Sequence, residues 1–192
     1  MNIVKKPIKI AIFSILFLIF FTTANAHAAI FQNPWREGNF SYRDLEQFSW
    51  LQAFKKGNLW IGLNDTAKQF ITGEAAENYF KLKMRNFIKD YNVQTKFSTD
   101  NDMNFISLYI ELYRYNDKTK IYYGLMSFRI HPSLGQKTKD IKTYEITIPL
   151  AGSENQINSL IKEEIDFFVE TFATDYYYIE DLKTKHESQK SE

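Results

Sequence analysis

Residues 144–179 read YEITIPLAGSENQINSLIKEEIDFFVETFATDYYYI, and the spacing of their apolar side chains changes half-way. Up to Leu150, apolar and polar residues alternate, which predicts a β-strand with one buried face. From Ile157 to Tyr176 the apolar residues recur at steps of three and four, which predicts a long amphipathic helix. Pro149 cannot donate a hydrogen bond to a neighbouring strand, so it predicts either a strand at a sheet edge or a strand whose last residues leave the sheet. The stretch therefore predicts a strand that leads directly into a helix.

Ser153 lies where the spacing changes, and its position suits either a nucleophile or a helix cap. The letters around it read AGSENQ, whereas a nucleophile elbow requires G-x-S-x-G. Ser153 and Gln156 instead match the S-x-x-E/Q capping box, and Glu154 places a negative charge where the helix dipole favours it. Both residues are therefore predicted to be structural caps, and no catalytic serine is expected.

The other elements follow from the same two kinds of spacing. Alternation predicts strands over 58–65, 93–97, 105–115, 121–130 and 143–150. Thr72 is the expected N-cap of an amphipathic helix over 73–90. This order predicts one α+β domain over 58–182, in which two amphipathic helices pack on one face of a mostly antiparallel sheet of four to five strands. Residues 29–57 are expected to be irregular with one short helix, and residues 183–192 to be a polar disordered tail.

The first 28 residues have the layout of a signal peptide, with three lysines, an apolar run over Ile10–Phe21 and small residues at the end. Cleavage after Ala26 and cleavage after Ala28 fit the pattern equally. An uncleaved N-terminal anchor is the alternative. The segment predicts export to the periplasm or, as the alternative, to the extracellular space.

The composition excludes several classes of partner. The full chain has 24 Lys and Arg against 23 Asp and Glu, and loss of the three lysines near the N-terminus leaves 21 against 23, a formal charge of −2. A slightly acidic chain lacks the basic surface that attracts nucleic acids, so no nucleic acid is expected as a partner. No integral membrane segment is expected after cleavage. The absence of cysteine excludes disulfides and thiolate metal sites.

One polar stretch has the spacing of a calcium loop. Asp100, Asp102, Asn104 and Glu111 occupy the first, third, fifth and twelfth positions of that pattern. Phe105, however, replaces the glycine that the sharp turn requires, and alternation predicts that a strand begins there. The stretch therefore predicts an ordinary turn, and no metal is expected.

The sequence also contains no recognisable catalytic motif. The spacing around His131 and His186 does not resemble a zinc site, and the sequence contains no recognisable carboxylate–histidine pair. The acidic residues within 163–170 fit the solvated face of a helix, whereas glycosidase carboxylates stand on opposite sides of a cleft. We therefore expect no catalytic residue and no cofactor.

Aromatic residues supply the candidate interaction surface, which comprises five tyrosines: Tyr109, Tyr113, Tyr123, Tyr177 and Tyr178. The first three share with Leu125 the sheet face that the helices are expected to leave open. The last two lie beside the apolar stripe of the last helix. Exposed aromatic clusters mark interfaces, but aromatic residues are also ordinary residues of strands, so both interpretations stay open.

Five segments follow one another in a distinctive order: LWIGLNDTA, ITGEAAENYFKLKMRNF, FISLYIELYRY, IYYGLMSFRI and YEITIPLAGSENQINSLIKEEIDFFVETFATDY. Their order resembles a set of uncharacterised small exported bacterial proteins, and the resemblance covers about residues 45–178. The architecture is similar to that of the N-terminal domain of TolB, a periplasmic protein of the Tol-Pal system. The chain differs in lacking a glycine-rich approach to the last strand and in its long loop, 131–142. The resemblance implies a fold and a compartment, and no site residues.

Three functions are compatible with these observations. The first is a non-enzymatic envelope or secreted module that binds an envelope protein through a sheet edge or the aromatic sheet face. The second is a small periplasmic carrier that holds an apolar ligand in a cavity lined by Phe80, Phe87, Phe168 and Phe172. The third is an enzyme, which a pocket joining His131 to carboxylates would indicate. No sequence feature predicts the oligomeric state.

Overall fold

The part of the chain that the structure describes forms α-helices and one β-sheet. This structure is a computed structural model, and the described residues are 50–53, 55–95, 103–116, 118–132 and 143–190. The predicted signal peptide, most of the segment 29–57 and residues 133–142 of the predicted long loop lie outside them. All described residues fall within the compact unit Phe40–Glu192.

The elements lie close to the positions that the sequence predicts. The helices are α1 (Trp50–Ala53), α2 (Gly73–Phe87) and α3 (Glu154–Lys190), with a 3-10 turn at Ala67–Gln69. The strands are β1 (Lys56–Leu63), β2 (Asn92–Gln94), β3 (Asn104–Arg114), β4 (Ile121–His131) and β5 (Tyr144–Ser153). Strand β5 runs directly into α3, without an intervening loop.

The five strands of the sheet have the order β2-β1-β3-β4-β5. The predicted α+β class is confirmed. The expectation of a mostly antiparallel sheet needs correction, because β1 runs parallel to both β2 and β3, and only the β3-β4 and β4-β5 pairs are antiparallel. The connection explains the difference, since α2 carries the chain from the end of β1 back to the start of β2. Strand β5 is an edge of the described sheet, which is the first of the two alternatives that Pro149 leaves open.

Asn64 extends the pairing of β1 with β3 beyond the last residue of the strand. Its Nδ2 donates to the backbone oxygen of Leu112 at 2.8 Å, and its Oδ1 accepts from the Leu112 N–H at 3.2 Å. The same Oδ1 accepts from the Ala67 N–H at 2.9 Å, at the start of the 3-10 turn. A side-chain amide therefore replaces a peptide group at this point, and it joins the end of β1 to the connection that leads into α2.

The two long helices cover one face of the sheet, and aromatic rings fill the space between the layers. Phe128 on β4 is fully buried, and its ring centroid lies 5.7 Å from that of Phe80 on α2. On α3, the ring of Phe168 lies 5.7 Å from Phe128 and the ring of Phe172 lies 6.1 Å from it. Stacked, tilted and edge-to-face aromatic pairs of this kind stabilise a core beyond simple burial. Phe128 therefore holds both helices to the sheet.

The helix starts use side-chain caps. Thr72 precedes α2, and its Oγ1 accepts a hydrogen bond from the Ala75 N–H at 3.1 Å. Before α3, Gln156 Oε1 accepts from the Ser153 N–H at 3.2 Å and from Ser153 Oγ at 2.7 Å. This is the half of a capping box in which the glutamine reaches back to the residue that precedes the helix.

The C-terminal segment differs from the expectation of a disordered tail over 183–192. Helix α3 continues through it as far as Lys190. No glycine or proline occurs within the helix to end it. Thr184 Oγ1 donates to Glu180 O at 3.0 Å and Ser188 Oγ to Thr184 O at 2.9 Å, so polar side chains bond back along the helix. A polar composition therefore did not end the helix here.

Candidate functional site

Large apolar side chains lie exposed on the face of the sheet that α2 and α3 do not cover. We call this set the sheet face: Trp60 on β1, Tyr109 and Tyr113 on β3, and Tyr123 and Leu125 on β4. Each is between 36% and 54% exposed. The residues that alternate with them on β3 and β4, including Leu108, Leu112 and Met126, are fully buried against the helices.

The strand register brings the members of the sheet face together. Tyr113 on β3 lies directly opposite Tyr123 on β4, with ring centroids 5.9 Å apart and planes at 36°. Trp60 on β1 packs against Tyr109 on β3 with centroids 4.6 Å apart and planes at 59°. Leu125 pairs with Glu111 between these two ring pairs. The face is thus a continuous strip across β1, β3 and β4.

Gly62 leaves the space in which the rings of Trp60 and Tyr109 pack against each other. It pairs with Tyr109 in the sheet, and a Cβ at this position would lie 2.7 Å from the indole ring of Trp60 and 2.8 Å from the Tyr109 ring. Any larger residue would push one ring away from the other. The glycine therefore has a packing role on the exposed side of the sheet.

Polar pairs continue the same face toward the other end of β4. Arg129 Nε donates to Glu145 Oε1 at 2.8 Å, and the Ser127 and Thr147 hydroxyls form a hydrogen bond at 2.8 Å. Both pairs cross from β4 to β5 in register. The sheet face therefore combines an apolar centre with polar groups at its border.

The structure divides the five predicted tyrosines into two groups. Tyr109, Tyr113 and Tyr123 come together on the sheet face. Tyr177 and Tyr178 are exposed on α3, which packs against the opposite side of the sheet, and Tyr177 Oη donates to the backbone oxygen of Phe87 at 3.2 Å.

The interaction surface predicted from the sequence does not include Trp60. Alternation along the predicted strand 58–65 places Leu59, Ile61 and Leu63 on one face, and the same pattern turns Trp60 to the other face. That signal was available in the sequence. The contact with Tyr109 was not, because it depends on the parallel pairing of β1 with β3.

The candidate chemical groups do not converge within the described residues. His131 Nδ1 lies 3.3 Å from Thr143 Oγ1, and burial followed by the charge of Arg129 lowers the pKa of this histidine. Asp166 Oδ2 accepts hydrogen bonds from Tyr79 Oη at 3.0 Å and from Lys83 Nζ at 2.8 Å. Asp166 therefore joins α3 to α2, whereas the sequence suggested a solvated acidic face.

The fold places the two described residues of the calcium-loop pattern, Asn104 and Glu111, in different environments. Asn104 is buried, and its Nδ2 donates to Tyr91 Oη at 3.1 Å. Glu111 lies exposed on the sheet face, and Asp100 and Asp102 lie outside the described residues. Among the residues that the structure describes, no group of three His, Cys, Asp or Glu side chains is arranged to hold a metal ion.

A second feature lies along β1. An open pocket with a volume of about 600 Å³ is lined by Trp60, Ile61, Gly62, Leu63, Lys68, Thr72 and Gly73. It therefore extends along the second half of the strand and reaches the first turn of α2. The cavity expected for an apolar carrier is not formed by its four predicted residues, since Phe80, Phe168 and Phe172 are packed in the core and Phe87 is partly exposed on α2.

Comparison with known proteins identifies no family, since no family model and no curated protein matches the chain. Among solved structures, the chain is similar to a PelC L103M dodecamer from Paraburkholderia phytofirmans, with 14% identity, coverage of 64% of this chain and 88% of that chain, and a TM-score of 0.45. A minor lipoprotein from Acinetobacter baumannii has 17% identity, coverage of 63% and 91%, and a TM-score of 0.33.

The rare lipoprotein B from Shewanella oneidensis has 14% identity, coverage of 71% of this chain and 99% of that chain, and a TM-score of 0.22. Since all three TM-scores are below 0.5, these similarities carry no argument about function. The resemblance to the N-terminal domain of TolB stays a prediction. In the described part of the chain, no helix is both long and apolar enough to cross a membrane.

Proposed function

We propose that the chain is a non-enzymatic binding module, exported to the bacterial envelope or secreted, that acts through protein–protein contact at the sheet face. The observation that carries this proposal is the exposure of Trp60, Tyr109, Tyr113, Tyr123 and Leu125 side by side on one surface. The proposed compartment rests on the signal-peptide pattern of the sequence, with the periplasm favoured and the extracellular space as the alternative.

The composition of the sheet face suits a protein partner. Burial of apolar surface contributes about 25 cal/mol per Å², and Trp and Tyr are the side chains that most often dominate binding at protein interfaces. The Arg129–Glu145 pair borders the apolar centre, and protein interfaces commonly surround a dry centre with such polar groups. A partner that covers the centre would leave these charges hydrated.

The alternative functions have less support. A carrier needs space between helices and sheet, but the rings of Phe80 and Phe168 both lie 5.7 Å from Phe128 and fill that space. An enzyme needs converging groups, and His131 contacts a threonine hydroxyl rather than a carboxylate within the described residues. Binding at the sheet face is therefore the function that the geometry favours.

Site-specific photo-crosslinking in the cells of origin tests the proposal. A photoreactive phenylalanine derivative replaces Leu125 in the middle of the sheet face, and in a matched control it replaces Tyr178 on α3, which is also partly exposed. We expect a discrete adduct with one polypeptide at position 125 and none at position 178. The absence of an adduct at position 125, or the same adducts at both positions, would contradict the proposal.

The purified partner then allows a quantitative test. Tyr113→Ala removes one ring of the Tyr113–Tyr123 pair and should weaken binding at least about tenfold, as expected for a hot-spot residue. Tyr178→Ala should leave the dissociation constant within about twofold, since surface changes away from an interface have small effects. Equal effects of the two substitutions would place the interface elsewhere.

A further inference from the structure

One edge of β1 is only partly paired within the described residues. Strand β2 pairs with Lys56, Gly57 and Asn58 and ends at Gln94, whereas β1 continues to Leu63. On its other side, β1 pairs with β3 along its length as far as Leu63. The second half of β1 is therefore paired on one side and, among the described strands, open on the other.

Two backbone hydrogen bonds establish which backbone groups face the open side. Asn92 on β2 donates its N–H to Lys55 O at 2.9 Å, and Asn64 donates its N–H to Ile110 O on β3 at 3.3 Å. Successive residues of a strand direct their backbone groups to opposite sides, so odd-numbered residues of β1 face β2 and even-numbered residues face β3. Ile61 and Leu63 therefore direct their N–H and C=O groups toward the open edge.

Open space lies directly beside these groups. The pocket of about 600 Å³ is lined by the four consecutive residues from Trp60 to Leu63. Consecutive residues of a strand point to opposite faces, so only a space along the strand edge contacts all four. A neighbouring strand stands about 4.8 Å away in a sheet, which gives the pocket the location that an added strand would occupy.

We propose that this edge of β1 binds an extended peptide segment of a partner protein, which pairs as an additional strand with Ile61 and Leu63. Backbone hydrogen bonds would supply the alignment, as in other cases of strand addition. The chemistry of the partner follows from the edge itself, since alternating N–H and C=O groups at strand spacing are matched by another extended backbone.

The pocket also favours an acidic residue in that peptide. Lys68 is the one charged side chain among the described residues that line it. Its Nζ lies 2.8 Å from Asp65 Oδ1, and because both side chains are largely exposed, this ion pair is weak and exchangeable. A peptide carboxylate can therefore compete for Lys68.

The other edge of the described sheet is less suited to strand addition. Strand β5 carries Pro149, which has no N–H to donate and disfavours pairing wherever it faces an added strand. The same strand also carries the exposed Glu145, which is already paired with Arg129. The edge of β1 from Leu59 to Leu63 contains neither a proline nor a charged residue.

The edge of β1 is a second binding surface beside the sheet face, and each of the two surfaces can be refuted without the other. The crosslinking at position 125 and the Tyr113→Ala variant test the sheet face, whereas the edge is tested by backbone amides that lie outside that face. Trp60 belongs to both surfaces and is therefore left unchanged in the experiment below.

The probe is a displayed library of random twelve-residue peptides, selected on the purified mature chain, and the strongest binders are then made as synthetic peptides. Amide hydrogen exchange is measured by NMR in the free protein and in the complex. We expect the Ile61 and Leu63 amides to exchange rapidly in the free protein and at least tenfold more slowly with peptide. The Gly62 amide faces β3 and should be protected in both states, which makes it an internal control.

A charge reversal tests the acidic preference. Lys68→Glu should weaken the binding of an acid-bearing peptide about fivefold, as expected for loss of an exposed ion pair. Lys183→Glu on α3 is the matched control, since it makes the same charge change outside the pocket, and it should leave binding unchanged. Protection of Ile61 and Leu63 in the free protein would overturn the proposal, and so would failure to select peptides or peptide-induced protection confined to other residues.

Discussion

Replacing Gly62 by alanine probes how the sheet face is built. The new Cβ would lie 2.7 Å from the Trp60 ring and 2.8 Å from the Tyr109 ring, so at least one ring must move. Trp60 is about half exposed and can swing into solvent, at the loss of an aromatic contact of about 0.5–1.5 kcal/mol. Alanine also restricts the unfolded chain and is favoured over glycine in a strand by about 0.5–1 kcal/mol. The two effects nearly cancel, so Gly62→Ala alone should change the free energy of unfolding by less than about 1 kcal/mol.

A double-mutant cycle separates the two effects. In a Trp60→Ala background most of the steric conflict is absent, so the same Gly62→Ala change should be neutral or stabilising. The coupling between the two positions, measured by urea unfolding of the four proteins, should be about 1 kcal/mol. If the two substitutions are additive within about 0.3 kcal/mol, the Trp60 ring does not close over Gly62 and the description of the sheet face is wrong.

Three further predictions concern stability. Phe128→Ala should lower the free energy of unfolding by about 3–5 kcal/mol, whereas Tyr178→Ala should change it by less than about 0.5 kcal/mol, both measured by urea unfolding. Gly124→Ala should prevent native pairing of β3 with β4, because the Cβ would lie 1.8 Å from Glu111 O; a native NMR spectrum of this variant would contradict that contact. Burial, and then the charge of Arg129, lowers the pKa of His131 below its ordinary 6.5. The unfolded chain therefore binds a proton at His131 more readily than the folded chain does. Stability should therefore decline as pH falls through 6.5, and an NMR titration that places the pKa of His131 at or above 6.5 would refute this.

The sequence predicts the faces of the strands better than their partners. Alternation assigns Tyr109, Tyr113 and Tyr123 to one side of the hairpin because side chains of a strand point to opposite faces at every step. The same pattern does not encode that β1 lies beside β3, since that pairing joins segments far apart in the chain. The Trp60–Tyr109 contact, which depends on it, therefore required the structure.

The end of α3 shows a second limit of sequence patterns. The polar composition after residue 182 predicts disorder, because it offers little apolar surface for burial. Composition, however, does not specify where a helix ends in the absence of a glycine or proline. Thr184 and Ser188 bond back to carbonyls one turn earlier, and the helix continues.

The parallel pairing of β1 with β3 also bears on the order in which the strands are expected to form. Arg114 and Tyr122 pair across a short turn, so β3 and β4 can form a hairpin from neighbouring residues. Asn64 and Leu112 are 48 residues apart, and joining them requires closure of a long loop before any contact compensates the lost entropy. We therefore expect β1 to join the antiparallel strands β3, β4 and β5 late in folding.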